Sequence, residues 1–198
     1  MPFDYPAPRE HRRHGPMGYA SYAEYRPWLR DEFSFRCVYC LKRERWGQVT
    51  GEFDIDHFEP QALKLDLAVD YSNLLYACRR CNSVKGDREV ADPFASLVSP
   101  LTTTNPDGTL HGHTENSIKL ILQLDLNSPR MVSWRILWMR IVELARERDP
   151  ILRKNLLSFP DDLPKLDNLR PPAGNSRPEG IAESWSAIAQ RGNLPEAY

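Results

Sequence analysis

Hydrophobic residues along the chain fall into periodic blocks separated by polar and proline-rich stretches. Tyr22, Tyr25, Trp28, Leu29 and Phe33 step mostly by three and four between Tyr19 and Phe35, the spacing of one helical face. Ser21 suits the N-cap, and Pro27 marks a kink or interruption. From Gly47 to Phe58 the pattern is extended. Phe53 and Ile55 alternate with Asp54 and Asp56, and Gly51 reads as a turn between two short strands. A looser segment, Glu59 to Ser72, precedes a third strand at Asn73 to Ala77 and a short helix. Asp92 to His113 is rich in Pro, Thr, Gly and Asn and reads as loop; Thr114 to Leu124 reads as helix. The clearest helix has Ser128 at its N-cap and Pro129 at its first position. Met131, Trp134, Trp138, Ile141 and Ala145 form its seam, and Pro150 marks its end. Beyond Leu157 the chain is proline-rich to Glu179, followed by one short helix at Ile181 to Gln190.

Composition adds bounds rather than direction. The chain has 198 residues, 41% hydrophobic and 27% charged, which is enough for a buried core without unusual staples. The net charge of −1 does not by itself announce a nucleic-acid partner. No stretch approaches the roughly 18 apolar residues of a membrane span, and the N-terminal segment lacks the apolar core of a signal peptide. The expected compartment is the cytoplasm, where thiols stay reduced and paired cysteines read as metal ligands before disulfides.

All four cysteines lie in two C-x-x-C pairs, Cys37/Cys40 and Cys78/Cys81. Two intervening residues let one turn of backbone present both sulfurs to a tetrahedral ion, so a structural Zn²⁺ site is expected. A redox motif would need only one pair. The insert between the knuckles carries Asp56-His57 and, shortly before the second pair, Asn73; Asn82 and Lys85 follow it. Phosphodiester hydrolysis needs a base for water and a cation for the developing charge. An imidazole suits the first and hard oxygen ligands suit a Mg²⁺ or Mn²⁺ ion.

Taken in order, Asp56-His57, Asn73-Leu74 and Cys78-x-x-Cys81-Asn82-x-x-Lys85-Gly86 resemble the HNH, or ββα-metal, endonuclease motif in its zinc-knuckle form, from about Arg36 to Asp87. Asn82 stands where the last His of the motif name falls. The resemblance implies an α+β fold: a ββα-metal HNH core stapled by the four cysteines, with a flanking N-terminal helix and a mainly helical C-terminal extension. It implies His57 as general base, Asp56 and Asn82 as ligands of the catalytic divalent ion, Asn73 as a brace for the loop that orients His57, and Lys85 near substrate phosphate. The implied products are a 5′-phosphate and a 3′-hydroxyl. Asp56 and His57, adjacent on a strand, serve one site only if the strand ends or bulges there.

The expected division is an irregular arm over 1–18, the nuclease core with its leading helix over 19–91, and a loop-rich helical extension over 92–198. Arg36, Lys42, Arg43 and Arg45 surround the first knuckle, and Arg79, Arg80, Lys85 and Arg88 the second. Joining the knuckles on one ion is expected to gather them into a face for phosphate contact, with Arg36, Lys42, Arg79, Arg80, Lys85 and Arg88 as the nucleic-acid candidates. The expected substrate is DNA, with RNA left open. Small HNH proteins with a helical tail resemble phage-defence nucleases controlled by a partner ATPase, and the helical extension is the surface expected to dock one. Two further readings stand beside this one: a zinc-stabilised binding module without catalysis, and an effector subunit active only in a complex. His11 and His14 read as part of a disordered arm. His111 and His113 flank a glycine in a loop and are not read as a metal site.

Overall fold

The computed structural model describes residues 2–47 and 52–198. The turn expected at Gly51, and with it most of the first short strand, lies outside the described residues. Ser21 closes a capping box on a 3-10 turn at Tyr22–Tyr25, which runs directly into α1, Arg26–Glu32. Pro27 falls in the first turn of α1, where its missing N–H costs nothing, so it starts the helix rather than breaking it.

Strand β1, Phe53–His57, pairs antiparallel with β2, Leu74–Cys78, in the unbroken register Phe53↔Cys78 to His57↔Leu74. Helix α2, Arg79–Lys85, begins at once after β2, and Gly86 closes it at φ 54° with its N–H on the Asn82 carbonyl. A side chain would resist that positive φ, and glycine accepts it freely. The β1–β2–α2 unit is the expected ββα core.

The region from 92 onward is more regular than its composition suggests. A short helix α3, Pro93–Ser96, precedes a hairpin of β3, Thr102–Thr104, and β4, Leu110–Gly112. The Asn105-Pro-Asp-Gly-Thr109 turn closes this hairpin, and the Asp107 side chain accepts from both the N–H and hydroxyl of Thr109. Helix α4, Glu115–Gln123, is capped by Thr114, and α5, Pro129–Arg148, starts as expected at Ser128-Pro129. Pro150 ends α5 but also opens α6, Pro150–Leu157, capped by Asp149; a further short helix, α7, spans Trp185–Gln190.

The buried line of α5 runs Met131, Arg135, Val142 and Ala145. Arg135, 1% exposed, donates to the Leu126 carbonyl at 3.0 Å and to the Gly108 carbonyl, so a cation on a helix seam is satisfied by main-chain acceptors of neighbouring turns. Trp138 stacks on Trp46 with ring centroids 4.5 Å apart, and Phe3 sets its ring edge-on to both Trp46 and Trp134. The tryptophans of α5 therefore seat the extension on the first-knuckle region, as core residues rather than stacking platforms.

The N-terminal segment carries little regular structure, yet it is not a free arm. Phe3, Tyr5 and His14 are buried, and His14 Nε2 lies 2.8 Å from Asp31 Oδ1. The Glu32 carboxylate accepts the backbone N–H groups of Arg13 and His14, each at 3.0 Å. The expectation of disorder at His14 fails because two buried carboxylates of α1 need donors, and this segment supplies them.

Candidate active site

Cys37 and Cys40 lie in the turn after α1, Cys78 ends β2, and Cys81 sits in the first turn of α2. The β1–β2 pairing and the sharp entry to α2 bring the four sulfurs within 4.8 Å of one another, all buried. Cys40 and Cys78 sulfurs are 3.7 Å apart. Tetrahedral zinc with bonds of about 2.3 Å separates its sulfurs by roughly 3.8 Å, so the cluster has the dimensions of a zinc site. Burial pushes the Cys37 thiol up, whereas sulfhydryls of Cys37, Cys40 and Cys81 stabilise a thiolate at Cys78 and pull it well down.

Asp56 and His57 are neighbours at the end of β1 and have separate side-chain partners. Asp56, 3% exposed, accepts a 2.6 Å hydrogen bond from the Tyr39 hydroxyl on Oδ2 and one of 3.1 Å from Lys85 Nζ on Oδ1. Burial pushes its carboxyl up from the ordinary carboxylate range, and Lys85, Tyr39 and His57 pull it back. The His57 ring, 9% exposed, sets Nε2 3.0 Å from the Ala68 carbonyl and stands edge-on to Tyr22 at 4.9 Å. A carbonyl only accepts, so Nε2 carries the proton and Nδ1 is left as the basic nitrogen. The strand ends at His57 without a bulge, the first of the two arrangements expected.

Asn73 closes the loop between the strands. Its side-chain amide donates to the Glu59 carbonyl at 3.0 Å and the Leu67 carbonyl at 3.3 Å, and its oxygen accepts the Glu59 N–H at 2.7 Å. Leu67 immediately precedes Ala68, whose carbonyl holds His57, so the amide fixes the acceptor that orients the imidazole. Asn73→Ala leaves the part-buried N–H and carbonyl of Glu59 without the amide, while the Leu67 carbonyl keeps the Asp70 N–H, at about 1–3 kcal/mol for an unsatisfied group. The expected result is a stability loss of about that size in urea denaturation, together with slower turnover in any reaction that uses His57.

Residues 37–88 match the family model for HNH endonucleases. This segment is similar to HNH endonuclease domains. No curated protein matches the chain. The match supports nuclease-type chemistry on nucleic acid for this segment, and its four cysteines are positioned to form a zinc site.

Within the matched segment, Asn82 is half-buried on α2, three residues before Lys85. Lys85 differs from the expectation. It is 1% exposed and its ammonium donates to Asp56 and, at 2.6 Å, to the His57 carbonyl. It is a counter-charge beneath the carboxylate instead of a surface phosphate contact, because the third residue after Asn82 faces inward on a helix packed against β1.

The expected basic face is largely spent inside the protein. Lys42 pairs with Glu52, and Arg45 with Asp161 and the Phe159 carbonyl. Arg80 binds the Leu124 and Asp125 carbonyls, and Arg88 closes the end of α2 on the Val84, Lys85 and Gln123 carbonyls. Arg36 and Arg43 both lie over the Tyr198 ring, and Arg43 is 3% exposed. Arg79 keeps a largely exposed side chain, with Asp54 at 3.8 Å. Charge density in the sequence was a poor guide here because main-chain acceptors at helix ends and aromatic faces bind the same cations.

His111 and His113 have ring centroids 4.6 Å apart, and His113 bonds Thr103; among the described residues the four cysteines form the one group of three or more His, Cys, Asp or Glu side chains close enough to share a metal ion. Sequence reading missed Tyr39 and Tyr22. Tyr39 sits inside the first C-x-x-C, but the pattern carries no sign of its hydroxyl's partner.

Proposed function

We propose that this chain is a DNA endonuclease that hydrolyses phosphodiester bonds with His57 as general base. Asp56 and Asn82 are the proposed ligands of a Mg²⁺- or Mn²⁺-class ion. The observation that carries the reading is the fixed tautomer of His57: with Nε2 held on the Ala68 carbonyl, Nδ1 is the nitrogen free to take a proton from water. A carboxylate and an amide oxygen suit a hard divalent ion, which commonly keeps only one or two protein ligands. When bound, such an ion stabilises the charge that develops on the phosphate and leaving oxygen. Asn73 keeps the base in place, and Lys85 balances the Asp56 charge in a low-dielectric setting. Arg79, exposed at the start of α2, is the proposed phosphate contact among the cations that flank the knuckles. The products in this reading carry 5′-phosphate and 3′-hydroxyl ends.

A second reading is a zinc-stabilised binding module without catalysis. It is favoured by the Asp56 carboxylate already having Tyr39 and Lys85 as partners. An effector that cuts only inside a complex is the third. It is supported by the exposed Leu137 and Leu144, seven residues apart on α5. The resemblance to phage-defence nucleases supports an ATPase as that partner.

Plasmid DNA and single-stranded RNA incubated with purified protein, with Mg²⁺ or Mn²⁺ and with chelator, separate these readings. The proposal expects cleavage of DNA that needs the divalent ion and is at least tenfold weaker in Asn82→Ala. Binding without products points to the module, and cutting only after partner addition points to the effector. Wild-type cutting by Asn82→Ala at limiting Mg²⁺ would remove Asn82 from the ion site.

A further inference from the structure

The middle of the first zinc knuckle reaches into the candidate active site. Tyr39 lies between Cys37 and Cys40, both buried in the sulfur cluster. Its own side chain is fully buried, and its hydroxyl hydrogen-bonds Asp56 at 2.6 Å. Its backbone carbonyl is held in turn by the Tyr5 hydroxyl at 2.7 Å. One short stretch of chain thus carries two sulfurs of one metal site and a donor to the proposed ligand of another.

We propose that Tyr39 is a positioning residue that couples the zinc knuckle to the catalytic cation by fixing the orientation of the Asp56 carboxylate. The inference rests on Asp56 being an ion ligand, as proposed above. A carboxylate oxygen has lone pairs enough to accept one hydrogen bond and still bind a cation. Tyr39 on Oδ2 and Lys85 on Oδ1 leave Asp56 little rotational freedom, so its remaining lone pairs keep one direction. Groups that hydrogen-bond a metal-binding carboxylate typically carry 10–100-fold in metal affinity or activity. The knuckle is therefore more than a staple: closing it on zinc places the phenol that aims the carboxylate.

The test uses the zinc-loaded full chain and Mn²⁺, with bound ion counted by electron paramagnetic resonance. Tyr39→Phe keeps the ring and loses the hydroxyl. The expected result is one zinc per chain, near wild-type melting, and Mn²⁺ affinity about tenfold or more weaker. Cleavage by this variant then recovers as Mn²⁺ is raised. A merely structural role would lower zinc content or melting temperature and leave the Mn²⁺ titration in place. Wild-type Mn²⁺ affinity in folded, zinc-bound Tyr39→Phe overturns the coupling and leaves the nuclease reading standing. Absence of any Mn²⁺ binding to the wild-type protein removes both.

If Tyr39→Phe does not fold, the wild-type protein with Co²⁺ in place of zinc still decides the matter. Saturating Mg²⁺ is expected to shift the cobalt–thiolate absorption bands, because the phenol and the Cys40 sulfur belong to adjacent residues. Bands that stay unchanged on Mg²⁺ addition overturn the coupling.

Discussion

His57→Ala is expected to lower the rate of DNA cleavage by about 10²–10⁴-fold, the usual contribution of a positioned general base. Two features make this the sharpest chemical test. The imidazole is buried, donates to the Ala68 carbonyl and meets the Tyr22 ring, so its removal takes one hydrogen bond and some packing with it. The cost is about 1–3 kcal/mol, from the unsatisfied carbonyl and the lost packing, below the stability of an ordinary domain. The four thiolates are untouched, so the variant should keep its zinc and its circular dichroism. Nicking of supercoiled plasmid, followed over time at saturating Mg²⁺, gives the rate. A variant that nicks at the wild-type rate would show that some other group activates the water.

Loss of zinc should have the largest effect on the fold. All four sulfurs are at most 4% exposed, and they come from three places in the chain: the turn after α1, the end of β2 and the first turn of α2. Structural zinc contributes on the order of 10–16 kcal/mol of apparent binding free energy. A domain has only about 5–15 kcal/mol of net stability. Cys81→Ser, or prolonged treatment with a strong chelator, should therefore abolish cooperative thermal unfolding and cleavage together. Melting monitored by circular dichroism alongside zinc content checks this. A sharp wild-type transition in zinc-free protein would show that the aromatic packing of Phe3, Trp46, Trp134 and Trp138 suffices alone.

The ββα core was legible because its signals are local. Cysteine spacing, alternation at Phe53 to Asp56 and the Ser128-Pro129 start each depend on a few neighbouring residues. The helical start at Ser21 was legible for the same reason, although Pro27 opened α1 where a break was expected. What escaped depends on distant partners. His14 is ordered by Asp31, and Arg135 is buried on carbonyls from two other segments. The β3–β4 hairpin hid in polar strands too short to show a period, Thr102–Thr104 and Leu110–Gly112. Among the site residues, the sequence named His57, Asn73 and Asp56 at positions where each now has a defined partner. Lys85 was named for the surface and lies under Asp56, and Tyr39 was not named at all.

The Asn73 amide has a consequence for how such a domain can diversify. It grips the chain at Glu59 and again at Leu67, while most of the stretch between them, Leu63 and Leu65 included, is exposed. Inserted residues there would lengthen a closed loop at a cost that grows only logarithmically, about 0.6 kcal/mol per doubling. New substrate-contacting segments can therefore be grafted between the two grip points while the imidazole keeps its bearing.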